Sequence, residues 1–147
     1  MKNDAGTVAR RWFEEVWNER RDAAVDELMA PDSLGYVEGQ EPLRGPAEFK
    51  RMKAMFLSAL PDVRIEIEDV IADGDRAAVR WRAVGTHSGD GFGFRATQRP
   101  INVRGTTWLT VRHGKIVEGF DTWNLGAMLQ ALQALTPPQS SAADASP

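Results

Sequence analysis

The hydrophobic pattern of this chain changes from a helical period to a strand period near Pro61, and that change limits the folds it can adopt. Before Pro61, apolar residues recur at helical spacing, as Val8, Trp12 and Val16 do. After Pro61, apolar and polar residues alternate, which is the period of a strand with one buried face. Helices followed by strands predict an α+β fold in which helices cover one face of a curved antiparallel sheet.

Local signals predict where the elements begin and end. Three N-terminal helices are expected, from about Ala5 to Asn18, from Asp22 to Met29, and from Pro46 to just before Pro61. A short extended segment from Ser33 to Glu38 separates the second helix from the third, and a hairpin turns at residues 73–75. A short C-terminal helix is expected from Leu125 to Leu135.

A second hairpin has two possible registers, and they place Asp121 on opposite faces. A two-residue loop pairs Arg112 with Lys115 and puts Asp121 on the polar face. A three-residue loop with a bulge at Gly114 pairs Val111 with Lys115 and puts Asp121 on the apolar face. We favour the three-residue loop, because a slip of one residue would scatter the apolar set. That set is Val103, Leu109, Val111, Val117 and Trp123.

In the favoured register Asp121 lies among three residues with small side chains, Gly105, Thr107 and Gly119. A carboxylate that faces such a gap in an apolar wall predicts a pocket. Burial would raise the pKa of Asp121 and make it a better proton acceptor near neutral pH. The alternative is a solvated carboxylate, or one that caps the following helix.

Length and composition restrict the remaining possibilities. The chain has 147 residues, 42% of them apolar, no cysteine and a net charge of -3. We expect one domain over residues 1–136, and a disordered polar tail over 137–147. The absence of cysteine excludes disulfides and thiol catalysis, and the acidic balance disfavours nucleic acid. With two histidines and no ligand-like spacing of acidic residues, no metal site is predicted, and a cytoplasmic protein that does not bind membranes is expected.

Four segments, taken together and in order, resemble a known family. They are Gly85-Thr86-His87-Ser88-Gly89, residues 97–99, Gly114-Lys115-Ile116-Val117-Glu118, and Asp121-Thr122-Trp123. The chain resembles the SnoaL-like polyketide cyclase and ester cyclase family over nearly the whole domain. That resemblance implies the conical α+β barrel of nuclear transport factor 2-like proteins.

The resemblance also implies an activity. Characterised cyclases of this kind, in antibiotic biosynthesis, close a ring on a hydrophobic aromatic polyketide ester by an intramolecular aldol reaction, without a cofactor. The aspartate that matches Asp121 is the general acid and base, and His87 matches a motif histidine that could hydrogen-bond a carbonyl or fix the strand–loop junction. In addition, we expect the substrate to contact Tyr36, Trp17, Phe56, Thr107 and Trp123.

Two positions depart from a well-known cyclase of the family. Gly105 and Thr107 stand where that enzyme has glutamine and histidine, which predicts the loss of a hydrogen-bonding partner beside the carboxylate. These departures support a related pocket more firmly than the same substrate.

A homodimer is expected through the outer sheet face, where Trp108 and Phe120 would otherwise meet solvent. Two other functions stay open. The pocket could bind a small ligand without catalysis, or it could serve a hydrolase or isomerase.

Overall fold

A computed structural model describes residues 4–37 and 39–134. The helices are α1 (Ala5–Arg11), a π-helix that continues it (Trp12–Asn18), α2 (Asp22–Leu28), α3 (Gly45–Ala59) and α4 (Leu125–Gln133). The strands are β1 (Met29–Val37), β2 (Leu43–Arg44), β3 (Arg64–Asp73), β4 (Arg76–Thr86), β5 (Pro100–Arg112) and β6 (Lys115–Thr122). The predicted tail, 137–147, and the predicted helix end at Leu135 lie outside the described residues.

The predicted α+β class is confirmed, with two corrections to the sheet. Its strand order is β2-β1-β6-β5-β4-β3, so β2 and β3 remain edges and the sheet is not closed into a barrel. The pair β1–β6 is parallel, whereas every other pair is antiparallel. The prediction of a wholly antiparallel sheet is therefore wrong. That prediction rested on the alternation of apolar and polar residues within each strand, and such alternation does not reveal that two strands far apart in sequence lie side by side.

The helices pack against the sheet as expected for two layers. α1 contacts β3, β4 and β5, while α3 contacts β1 and β2. Apolar side chains from both layers form one core, because each amphipathic surface removes the other from water. Among its most deeply buried members are Val8, Val16, Val25, Leu28, Ala59 and Val79. Among the described residues, the structure contains no helix with the length and apolar character needed to cross a membrane.

The first helix has the predicted extent, but its second half is wider than an α-helix. In the π-helix the hydrogen bonds span five residues, and the Glu19 N–H bonds the Glu14 carbonyl at 2.9 Å in this way. Residues five apart lie about 140° apart on a regular α-helix. Here Trp12 and Trp17 both reach Phe49, with ring centroids 4.7 and 5.9 Å away. The wider turn thus brings two indoles to one face.

The second hairpin turns differently from our prediction. Arg112 pairs with Lys115, which leaves a two-residue loop. His113 and Gly114 have φ angles of 53° and 75°, as a type I′ turn requires. The predicted three-residue loop, with Val111 paired to Lys115, is therefore wrong.

The predicted face of Asp121 is nevertheless confirmed, because a bulge further along the hairpin corrects the register. The pairing shifts by one residue after Val111, so Val117 has no opposite residue in the ladder. Ile116 is consequently buried where we expected Val117. Beyond the bulge, Asp121 pairs with Thr107.

Candidate active site

An apolar cavity of about 110 Å³ lies between the helices and the inner face of the sheet. A smaller cavity of about 50 Å³ shares part of its wall, including Thr107 and Asp121. Aromatic rings dominate the larger cavity, and they belong to Trp12, Phe13, Trp17, Phe49, Phe56, Trp81 and Trp123. Such a wall suits a hydrophobic, planar ligand.

Asp121 brings a single carboxylate to both cavities. It lies near the end of β6, between Val37 of β1 and Thr107 of β5 in the register of the sheet. Asp121 is half-buried, and it lines both cavities. The exposed Glu41 is the other charged side chain among the described residues that line these cavities.

The surroundings of Asp121 make it a weaker acid than an aspartate in water. Burial raises its pKa from 3.8 to about 6, while a hydrogen bond from Thr107 partly opposes that increase. This hydroxyl lies 2.5 Å from Oδ1. Oδ2 accepts no hydrogen bond from any residue in the described part of the chain. A carboxyl group with this pKa can both accept and return a proton near neutral pH.

Thr107 itself receives a hydrogen bond from Trp81, a residue that the sequence did not single out as part of the site. The Trp81 indole N–H donates to Thr107 Oγ1 at 2.9 Å, and both residues are buried. Trp81 pairs with Gly105, where an added Cβ would come within 2.4 Å of the indole ring. The two departures at Gly105 and Thr107 therefore make room for an indole and supply a partner to Asp121. The expected loss of a hydrogen-bonding partner is therefore wrong at Thr107, whereas Gly105 has no side chain to offer one.

The structure brings Trp17, Phe56, Thr107 and Trp123 together, and all four line the larger cavity. The Phe56 ring lies 6.3 Å from Trp17 and 5.9 Å from Trp123, measured between centroids. These three rings form one continuous aromatic wall. Trp12 and Phe13 also line this cavity, although the sequence did not identify them, because a helical apolar stripe does not show which side chains border a void.

Tyr36 does not line either cavity. It pairs with Phe120 in the parallel β1–β6 register, and their rings stack 4.8 Å apart. The next residue, Val37, does line the cavity. Because neighbouring strand residues point to opposite faces, Tyr36 belongs to the outer face of the sheet.

His87 lies at the end of β4 and lines neither cavity. It is completely buried, and its Nδ1 accepts the Thr97 backbone N–H at 3.1 Å, with Thr97 Oγ1 at 2.9 Å. The rings of Phe92 and Phe94 lie 5.6 and 5.0 Å from the imidazole. These contacts join His87 to the loop of residues 88–98 and leave it apart from Asp121.

The described residues contain no group of three or more histidine, aspartate or glutamate side chains that could hold a metal ion.

Helices on one face of a six-stranded mixed sheet, with an apolar cavity between them, are the architecture of the nuclear transport factor 2-like fold. The profile of the SnoaL-like polyketide cyclases matches residues 7–132. The chain belongs to that family.

Solved structures agree on the fold. A candidate SnoaL-like polyketide cyclase from Jannaschia sp. CCS1 is 21% identical, with a TM-score of 0.81, covering 88% of this chain and 91% of that one. IdmH, a candidate polyketide cyclase from Streptomyces antibioticus, is 26% identical, with a TM-score of 0.74 and coverages of 86% and 96%. AclR, a candidate hydroxylase from Streptomyces galilaeus, is 26% identical, with a TM-score of 0.71 and coverages of 95% and 85%. Among curated proteins, none matches significantly.

Proposed function

We propose that this chain is a cofactor-independent cyclase that closes a ring on a hydrophobic aromatic polyketide-like ester by an intramolecular aldol reaction. The observation that carries this proposal is the Asp121 carboxyl group, which faces an aromatic cavity and whose pKa is raised to about 6. Membership of the SnoaL-like family supports the cyclase class.

The proposed reaction needs one proton to leave and one to return. Oδ2 of ionised Asp121 takes a proton from the carbon next to a carbonyl, and the electron pair left behind is delocalised as an enolate over the conjugated ring system. The enolate carbon then bonds to a second carbonyl carbon, whose oxygen becomes an alkoxide. That alkoxide takes the proton back from Asp121, so atoms and charge balance without another reagent.

The cavity contributes by holding the substrate in the conformation that closes the ring. Trp17, Phe56 and Trp123 offer flat apolar surfaces beside the carboxylate. Holding two reacting carbons close together replaces a chance encounter with a preorganised one. Thr107 contributes by orienting Asp121.

We assign His87 to loop placement. Its contacts with Thr97 hold the loop of residues 88–98 at the end of β4, and Phe92 from that loop packs edge-on against Phe56 at 5.4 Å. His87 therefore acts on the cavity through the loop and one aromatic ring.

We also propose a homodimer through the outer sheet face. Trp108 and Phe120 are 45% and 43% exposed there, opposite each other in the β5–β6 register, and Tyr36 stacks on Phe120. A second copy would remove this aromatic patch from water.

Asp121→Asn tests the proposed role of the carboxylate. With an aromatic ester that carries a ketone side chain as substrate, we expect ring closure to slow by about 100-fold or more, because the amide cannot take a proton. Product formation is followed by chromatography and mass spectrometry. Asp69→Asn, on an exposed strand position, is the matched control and should keep the wild-type rate. A near-normal rate in Asp121→Asn would reject proton transfer by this group.

The second candidate is binding without catalysis, favoured by the mainly apolar cavity wall. It predicts that a bound aromatic ester is recovered unchanged and that Asp121→Asn binds it as well as the wild type does. A hydrolase or isomerase using the same carboxylate would instead release a product with no new carbon–carbon bond.

A further inference from the structure

We propose that Trp81 and Thr107 are positioning residues for Asp121. The indole N–H fixes the Thr107 hydroxyl as a donor to Oδ1, and Oδ2, which accepts no hydrogen bond from the described residues, remains available to take the substrate proton. This inference deepens the proposed function, because it says how the proton-transfer group is oriented.

The direction of this relay follows from the chemistry of its three members. An indole N–H can only donate, so the Thr107 oxygen is the acceptor in its 2.9 Å contact with Trp81. A threonine hydroxyl has one proton, and within the described part of the chain the acceptor it bonds is Asp121 Oδ1. With the first bond fixed, the second points toward the carboxylate. Each bond polarises the next, which strengthens donation to the charged form of Asp121.

The backbone keeps this arrangement in place. Trp81, Gly105 and Thr107 lie on adjacent strands, and the indole extends across Gly105 to reach Thr107 two residues further along β5. Gly105 leaves the indole its space, since a Cβ there would overlap the ring. The Trp123 ring packs edge-on against the indole, with centroids 6.1 Å apart. Trp81 and Thr107 are therefore buried among close-packed groups.

Few other charges act on Asp121. The π-helix, α3 and the strands that line the two cavities contribute apolar or uncharged side chains, and the remaining ionisable group is the exposed Glu41. The Thr107 bond is thus the main local interaction that favours the carboxylate over the protonated acid. A change at Thr107 should consequently be visible in the titration of Asp121.

Two NMR titrations of the full chain between pH 4 and 8 test the relay without any substrate. Carboxyl-carbon signals report Asp121, with Asp121→Asn to assign them, and the indole N–H signal reports Trp81, with Trp81→Phe to assign it. In the wild-type protein we expect the Trp81 indole signal to move with the same midpoint as Asp121, near pH 6. Thr107→Val should raise the pKa of Asp121 to about 7, because a hydrogen bond to a charged acceptor is lost.

The conservative variant separates the relay from a packing effect. Thr107→Ser keeps the hydroxyl, so it should restore both the wild-type midpoint and the coupled Trp81 signal, whereas Thr107→Val should abolish the coupling. The proposal is overturned if the Trp81 signal of the wild-type protein ignores the titration of Asp121. It is also overturned if Thr107→Ser behaves like Thr107→Val.

The coupling between the Trp81 signal and the titration of Asp121 in the wild-type protein tests the proposal even if Thr107→Val fails to fold. It is also independent of the cyclase activity. A coupled titration together with full turnover by Asp121→Asn would retain the relay and reject the proposed function.

Discussion

Replacing Asp121 with asparagine should make the folded protein more stable at neutral pH, while it removes the carboxylate that we propose transfers the proton. The carboxylate is held in a desolvated site, which disfavours its charged form in the folded state alone. Active-site groups of this kind are commonly held at a cost in stability. Asparagine has nearly the same shape and carries no charge, so it avoids that cost.

The magnitude follows from the two pKa values. Asp121 titrates at about 6 in the folded protein, against 3.8 for the unperturbed group. This difference corresponds to a cost of about 3 kcal/mol when the group is ionised in both states. The NH2 group of the asparagine has no hydrogen-bond acceptor in the cavity wall and offsets part of the gain, so a net increase of about 1 to 3 kcal/mol in the free energy of unfolding is expected at pH 7.5.

The same two values determine how the effect depends on pH. Between about pH 4 and 6 the folded protein binds the Asp121 proton more tightly than the unfolded chain does, so the free energy of unfolding falls as the pH rises. Below pH 4 the group is protonated in both states and the cost disappears. The advantage of Asp121→Asn should therefore shrink as the pH is lowered from 7.5 to 4.

Denaturant unfolding at pH 4, 6 and 7.5 measures this difference, because each comparison of variant with wild type cancels the other titrating groups. Thermal unfolding at pH 7.5 should show a midpoint higher by roughly 3 to 10 °C. Asp69→Asn removes an exposed carboxylate and should change the free energy of unfolding by less than about 0.5 kcal/mol. A difference for Asp121→Asn that stays constant across this pH range would refute the argument from desolvation.

Two further predictions concern packing and assembly. Gly105→Ala should lower the free energy of unfolding by about 1 to 3 kcal/mol and disturb the Trp81 indole signal, because the new methyl group meets the ring; an unchanged indole signal would contradict the close approach. If the outer face forms the dimer, Trp108→Ser combined with Phe120→Ser should yield monomers in analytical ultracentrifugation at micromolar concentration. These monomers should still unfold in a cooperative thermal transition, which shows that they are folded. A wild-type protein that sediments only as a monomer of 16.3 kDa would reject that interface.

The pattern of the sequence was sufficient for the elements, and less so for their pairing. Helical spacing and strand alternation depend on neighbouring residues, so α1 to α4 and the long hairpins were predictable. The parallel contact between β1 and β6 joins segments about 80 residues apart, as between Tyr36 and Phe120, and no local period encodes it. For the same reason, the prediction that Tyr36 contacts the substrate placed it on the wrong face of the sheet, because its face depends on how β1 pairs with β6.

The face of Asp121 was predicted correctly, although the predicted turn of its hairpin was wrong. Its face followed from the requirement that apolar residues share one side of the sheet, a requirement that any correct register must satisfy. The turn could adopt either of two lengths, and a bulge beside Val117 reconciled the shorter one with that requirement. The sequence showed that the apolar residues must share one face of the sheet. It did not show that a bulge would achieve this.

The order of helices and strands, the single carboxylate on an apolar face and the family were all determined by the sequence, because they depend on residue type and spacing. The tertiary structure alone decided that Trp81 reaches across Gly105 to Thr107, that the π-helix directs Trp12 and Trp17 to one cavity, and that His87 is occupied by a loop. The physical reason is that these contacts join separate elements: a side chain's chemistry is local, but its partners are selected by the way the whole chain packs.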